Sequence, residues 1–357
     1  MSLLRYIIFL SLLLVVCSCA DKEEISTRAY YMGFQNSAPR VDNLNLFLQS
    51  LNLWTQRADA AMITTEVPWK ELLSGTNVND YVVANYKELV DYYRSKNLKL
   101  WVYVDPQNGL DRTSDAVDLQ EAGKSIADAE MQLLYQKFTI AMDSILKPDH
   151  LGLALETNLI RDAAPASIYE GVKDAANATA AIIKSKNPGV PLSVSVQADH
   201  AWGKLIGGSY QGIAQDFIDF PFIEELGISS YPYFGFDKPA DIPVDYYSKL
   251  VQGNSIPVFV YEGGWTSLAV NTGNTAARSP EIQKEYIYHH ARLLDEVKAT
   301  AVFQLLFTDL DIANLPPDMP VNLPYFAYLG LVDKEFNVKP ALSAWDEIFK
   351  KRTRAGN

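Results

Sequence analysis

Glu156 and Glu262 each close a short apolar run, Leu151-Gly-Leu-Ala-Leu-Glu156 and Pro257-Val-Phe-Val-Tyr-Glu262. Such a run, bounded by turn residues, predicts a strand buried on both faces, here with an acid at its carboxyl end. An ionisable group ending so apolar a stretch is costly to desolvate, so it needs a compensating reason to be there. If two such strands belong to one (β/α)8 barrel, their carboxyl ends converge on the face where these barrels build active sites. Two carboxyl groups meeting there are the minimum for breaking a glycosidic bond: one protonates the leaving oxygen and the other stabilises or attacks the anomeric carbon. Donors around Glu262 would keep it ionised, and Glu156 beside that charge would hold its proton for the leaving group.

The rest of the chain supplies the elements to position them. Strands are expected at Tyr30 to Phe34, Ala60 to Thr65, Lys99 to Val104, Leu151 to Leu155, Leu192 to Val196, Leu226 to Ser230, Pro257 to Tyr261 and Ala301 to Leu306. Between them, Tyr81 to Ser95, Ala129 to Leu146, Ile168 to Lys184 and Glu281 to Val297 carry the 3.6-residue apolar spacing of helices. Alternation of this kind implies parallel strands with right-handed crossovers, and no linker interrupts it after residue 28. The expected fold class is α/β, a single (β/α)8 TIM barrel over residues 29–352. An open doubly wound sheet shares the alternation, but neither a GxGxxG after the first strand nor a P-loop is present.

The expected strand ends place further polar and aromatic residues at the barrel mouth: Glu66 and Trp69, Asp105, Asn158, His200 and Trp202, Tyr231 and Tyr233, Trp265, Asp309 and Asp311. Pyranose rings stack C–H patches on aromatic faces and present hydroxyls to polar partners, so Tyr231, Tyr233, Trp69, Trp202, Trp265, Asn158, His200, Asp105 and Glu66 are the candidate sugar contacts. His289 and His290, inside a helix pattern, are expected on its outer surface. Asp309 and Asp311 have the spacing of a calcium loop's first ligands without its glycine or closing glutamate, so no metal is expected.

Glu156, Glu262 and the Tyr231-Pro-Tyr233 run after the sixth strand resemble the "4/7" clan of barrel glycoside hydrolases, clan GH-A. The resemblance implies Glu156 as acid/base, Glu262 as nucleophile, Tyr231 as a hydrogen-bond donor to the nucleophile, and retention of anomeric configuration. Glu262-Gly-Gly-Trp265 is similar to the nucleophile segment of endo-β-1,4-galactanases, and Gly330-Leu-Val-Asp-Lys with Lys339-Pro-Ala-Leu resembles the closing segment of such enzymes. Two departures stand out. Clan members usually carry asparagine before the acid/base, where this chain has Leu155, a loss shared with some β-mannanases. A tryptophan usual on strand eight is also missing, leaving Phe307 or Trp265 as the platform.

The amino terminus is read apart from the fold. Arg5 and the apolar run Tyr6 to Val16 resemble a secretory signal over residues 1–18, too short to span a bilayer. Val16-Cys17-Ser18-Cys19 resembles a bacterial lipobox, which implies lipidation at Cys19, a tether over residues 19–28 and membrane attachment through that lipid alone. The following Asp21-Lys22-Glu23-Glu24 resembles a surface-export tag and implies an outer-membrane, cell-surface location. Both cysteines of the chain lie here, so the barrel has no disulfide and depends on its apolar core, which 48% hydrophobic residues can supply. A net charge of −12, with no lysine and arginine run among aromatics, argues against nucleic acid. The expected protein is a monomer acting on carbohydrate without a cofactor. Its alternatives are a glycan-binding barrel without catalysis, which the loss of asparagine motivates, and a metal-dependent hydrolase, disfavoured because no His-x-His follows strand one and no cysteine is available.

Overall fold

The computed structural model describes residues 27–40, 42–269, 278–314 and 322–353; the signal sequence and Cys19 lie outside the described residues. Eight parallel strands close into a barrel: β1 (Tyr31–Gln35), β2 (Ala60–Glu66), β3 (Lys99–Asp105), β4 (His150–Gly152), β5 (Leu192–Gln197), β6 (Glu225–Ser230), β7 (Val258–Gly263) and β8 (Ala301–Gln304). Each pairs with its sequence neighbour, and β1 pairs with β8 to close the ring. Helices cover the outside, so the fold is the single (β/α)8 barrel expected from the sequence pattern.

The strands begin and end within two residues of expectation, except at the end of β4. That strand stops at Gly152, three residues before its expected end. Its hydrogen bonding to β5 persists through Leu153 and Ala154, with Leu153 N donating to Ser193 O and Ser195 N to Ala154 O. The backbone then turns sharply, Glu156 adopting a left-handed conformation (φ 48°, ψ 45°) at the start of a helix over Thr157–Ala163. A left-handed non-glycine residue costs about 1–2 kcal/mol, and such strain concentrates at functional sites.

Large side chains fill the inside of the barrel. Trp101, Tyr103, Phe259, Tyr261 and Phe303 form a core separate from the larger one between strands and helices. Tyr103 crosses the interior, donates to Ser193 Oγ at 2.7 Å, and lies 4.5 Å from the Tyr261 ring. It fits because its neighbours lack side chains: a Cβ on Gly152 would lie 2.0 Å from the Tyr103 ring, and one on Gly227 would lie 2.5 Å from its hydroxyl.

The outer helices Ala129–Leu146, Ala166–Lys186 and Pro280–Val297 match their apolar periodicity. The expected helix over Tyr81 to Ser95 is helical throughout, α-helical over Val78–Val82 and Glu88–Ser95 with a wider π-helical turn over Val83–Lys87 between them. Leu44–Trp54 and Pro340–Phe349 are helical as well, the latter laying Trp345 against Phe34 with ring centroids 4.6 Å apart. His290 is not on the surface as expected. It is buried against Tyr247 and Tyr286, and burial lowers its pKa to about 3, so it packs as a neutral ring.

Filling the barrel with Tyr103 makes Gly152 intolerant of any side chain, since overpacking a close-packed core costs about 1–3 kcal/mol or more. Gly152→Ala is expected to lower the free energy of unfolding by at least about 3 kcal/mol in chemical denaturation. A variant as stable as the wild type would show that the Tyr103 ring does not occupy this space.

Candidate active site

Glu262 projects from β7 near the barrel's centre. Its carboxyl takes a hydrogen bond from the Tyr231 hydroxyl, whose residue follows β6, and a long one of 3.4 Å from Gln35 Nε2 at the end of β1. Gln35 also donates to Tyr261 O at 3.2 Å, which fixes its direction. Tyr231 is itself buried, and burial together with the charges of Glu262 and Glu156 raises its pKa well above 10, so it stays a neutral donor. Asp199, after β5, holds this corner in place by accepting from Tyr231 N and the Tyr246 hydroxyl, each at 2.6 Å.

Glu156 reaches the same space from the turn after β4. Its N–H donates to Ser195 Oγ at 3.0 Å, and the first helical residue, Thr157, donates to Asp216 Oδ1 at 2.6 Å. Two contacts from the loop after β3 were not foreseen. Arg112 Nε donates to Glu156 Oε2 at 3.0 Å, and Arg112 Nη1 donates to Asp105 Oδ2 at 2.6 Å. Burial opposes the Arg112 charge, but the two carboxylates outweigh that and hold it protonated. No motif marks Arg112 in the sequence, where it is a lone arginine in a polar loop.

The electrostatics therefore differ from expectation. Burial, reinforced by the negative charge of Glu156, raises the Glu262 pKa to about 8, and the hydrogen bond from Tyr231 offsets only part of that rise. Among the described residues, the guanidinium at the site, Arg112, contacts Glu156. Burial therefore favours a proton on Glu262, while the Arg112 guanidinium lies against Glu156. A sequence can suggest a donor such as Tyr231, but it does not reveal that the cation will sit on the opposite carboxylate.

Both glutamates face a cavity of about 490 Å³ at the carboxyl ends of the strands, with Arg112, Gln197 and Tyr231 in its wall. A larger hollow of about 1120 Å³ lies at the amino ends of β4 and β5 and contains neither glutamate. Among the described residues, none of the expected sugar contacts besides Tyr231 lines this cavity. Trp69 and Trp265 are buried in the core, as is Phe307. Trp202 stacks on Tyr246 and donates to its carbonyl. Tyr233 is buried with its hydroxyl on Tyr325 O. Asn158 exchanges hydrogen bonds with the Gln197 backbone and so fastens the β4 turn to β5. His200 is paired with Asp162, Asp105 with Arg112, and Glu66 accepts from Gly109 N. Asp309 is paired with Lys339, which also donates to Gly330 O and so locks the closing segment. These side chains support the site; the structure does not place them on the cavity wall.

No protein-family model matches the sequence, and no curated protein aligns with it significantly. Solved structures do share the fold. An exo-β-1,4-mannosidase from Opitutaceae bacterium strain TAV5 superposes with a TM-score of 0.63 at 15% identity, covering 92% of this chain and 61% of its own. This chain thus spans about three fifths of that enzyme's length. A GH5_18 protein from Bifidobacterium longum subsp. longum, solved also with Manβ1-4GlcNAc, gives 0.60 at 17% identity over 90% of this chain and 78% of its own. A GH1 β-glucosidase from Exiguobacterium antarcticum B7 gives 0.59 at 11% identity over 85% and 86%. At these identities the likeness establishes a shared barrel fold.

A carboxyl group that is neutral in the fold up to about pH 8, but ionises near 4.5 when unfolded, must take up a proton on folding between those values. Stability then falls as pH rises through that window, by at most about 1.4 kcal/mol per unit. Glu262→Gln is expected to melt above the wild type at pH 8, with the gap closing near pH 4.5. A gap independent of pH would show that Glu262 is ionised throughout.

Proposed function

We propose that this protein is a retaining glycoside hydrolase, cleaving an O-glycosidic bond in two steps with Glu156 as acid/base and Glu262 as nucleophile. The observation that carries the reading is the meeting of these two glutamates, Glu156 buried and Glu262 half-buried, from opposite sides of a (β/α)8 barrel, in one cavity at the strands' carboxyl ends. Its shared fold with an exo-mannosidase and a β-glucosidase supports the same class of chemistry.

The reaction requires one proton on the pair when substrate binds, and it must be on Glu156. The leaving oxygen takes that proton as the Glu262 carboxylate attacks the anomeric carbon and displaces the leaving group. Water, deprotonated by Glu156, then releases the sugar and restores Glu262. Burial favours a proton on Glu262, whereas the reaction needs that group ionised when substrate binds. Displacing Arg112 from Glu156 would accomplish that, because it removes the cation that favours charge there and exposes Glu262 to the freed guanidinium. The total proton count of the pair does not change, as expected for two coupled groups.

A second reading is favoured by Leu155 and by the Arg112 clamp: a barrel that binds glycan and does not cleave it. We further propose, on the Val16-Cys17-Ser18-Cys19 sequence, that Cys19 is lipidated and carries the barrel on the outer-membrane surface.

A leaving-group series separates these possibilities. Glu156→Gln is expected to lower kcat/KM about 10²–10⁴-fold for alkyl or sugar leaving groups, and much less for 2,4-dinitrophenolate, which needs no proton to depart, while kcat falls for both because the second step loses its base. Glu262→Gln should abolish turnover of both. The reverse pattern would exchange the two roles, and wild-type binding without turnover would establish the non-cleaving barrel. For the pH dependence, kcat/KM should fall as pH rises through about 8, where the pair loses its proton. Metabolic labelling with an alkynyl fatty acid should mark the wild type and not Cys19→Ser; equal labelling would refute the anchor.

A further inference from the structure

The cavity beside the glutamates has an unusual wall for a saccharide site. Leu110, Leu159, Leu205, Leu310, Leu323 and Phe326 line it, and each remains partly or fully exposed. The aromatic platforms expected for pyranose rings lie elsewhere: Trp69 and Trp265 in the core, Trp202 against Tyr246. Leucine offers no flat face for sugar C–H groups and no partner for hydroxyls.

Among the described residues, the polar side chains of the wall already have partners. The Gln197 amide donates to Asp199 and accepts from His200 N, and Asn322 donates to Leu110 O. Arg112 bridges Asp105 and Glu156, Tyr231 is on Glu262, and Asp111 accepts from Thr113 and Ser114. A second sugar would have to bury several hydroxyls with few free partners, at a cost of about 1–3 kcal/mol for each left unpaired. An apolar group would instead remove exposed leucine from water.

Position decides which part of the substrate is apolar. Leu159 lies in the first helical turn after Glu156, and Leu110 is two residues from Arg112, the partner of Glu156. The apolar wall thus borders the proposed proton donor, which serves the leaving group. We infer that the substrate is a glycoside with a hydrophobic, non-sugar aglycone: one sugar at the carboxyl pair and an aliphatic or aryl leaving group against the leucine wall. This rests on the hydrolase reading above and names its substrate class.

The test compares methyl, butyl and octyl β-D-glucosides, mannosides and galactosides with the corresponding disaccharides, by turnover and by calorimetric binding to the wild type. Leaving-group basicity barely changes along the alkyl series, so chain length reports apolar contact. For whichever sugar is accepted, kcat/KM should rise roughly fourfold per methylene over the first few carbons, and the octyl glycoside should exceed the disaccharide. Leu205→Asn, at an exposed rim position, should flatten that dependence. Turnover without chain-length dependence, or with the disaccharide preferred, overturns the apolar subsite and leaves the hydrolase reading intact. Chain-length-dependent binding without turnover of any glycoside overturns the hydrolase reading and retains the subsite. Neither turnover nor chain-length-dependent binding overturns both.

Discussion

The carboxyl end of the barrel is organised by the cost of keeping two carboxyl groups out of water. A buried carboxylate needs hydrogen bonds and a counter-charge, or else a proton. Here one arginine serves two acids, Asp105 and Glu156, while Glu262 is left with Tyr231 and a long contact from Gln35. The neighbouring architecture follows from that imbalance. Asp199 fixes the Tyr231 backbone, Ser195 fixes the Glu156 backbone in its strained turn, and Asn158 fastens that turn to the end of β5. Each polar side chain in this shell holds another in place. Among the described residues few are left facing the cavity, and much of the rest of its wall is aliphatic.

That division explains what could and could not be read from the chain. Period and composition gave seven of the eight strands to within two residues, because a strand buried on both faces is written as an uninterrupted apolar run. The end of β4 escaped because Leu153, Ala154 and Leu155 continue that run after regular pairing has stopped; nothing in side-chain type announces the left-handed turn at Glu156. The two glutamates were legible because acids are conspicuous at the end of such runs. Arg112 was not, because its importance lies in which carboxylates the β3 loop brings to it. The tryptophans misled for a related reason. A loop position beside proline or glycine does not say whether the side chain turns toward the cleft or back under the strands, and Trp69 and Trp265 turn back.

His290 makes the same point from the opposite direction. Its helix Pro280–Val297 is amphipathic, but the stripe facing the barrel includes Gln283, Tyr286 and His290 as well as leucines. Gln283 donates to the carbonyls of Trp265, Leu329 and Gly330, and His290 meets the Tyr247 hydroxyl. A polar residue on the inward stripe is tolerated when backbone carbonyls or hydroxyls complete it, and those partners come from distant parts of the chain.

The asparagine missing before Glu156 fits this logic. Leu155 belongs to the apolar core inside the barrel with Tyr103 and Tyr261. An amide there would need partners in a region whose hydroxyls are already paired, Tyr261 with Thr64 and Tyr103 with Ser193. If asparagine elsewhere contributes a hydrogen bond next to the nucleophile, this barrel places Gln35 of β1 against Glu262 instead, at 3.4 Å. A donor arriving from β1 approaches from beside the strand, not from the acid's own turn. The space next to Glu156 is thereby left to Arg112 and the leucines, and an ion pair at an apolar wall is strongest when a substrate excludes water from it. Binding an apolar leaving group would raise the stakes of the Arg112–Glu156 pair at the moment Glu156 needs a proton. In the proposed reaction, the contact that would select the substrate is thus also one that bears on the Arg112–Glu156 pair.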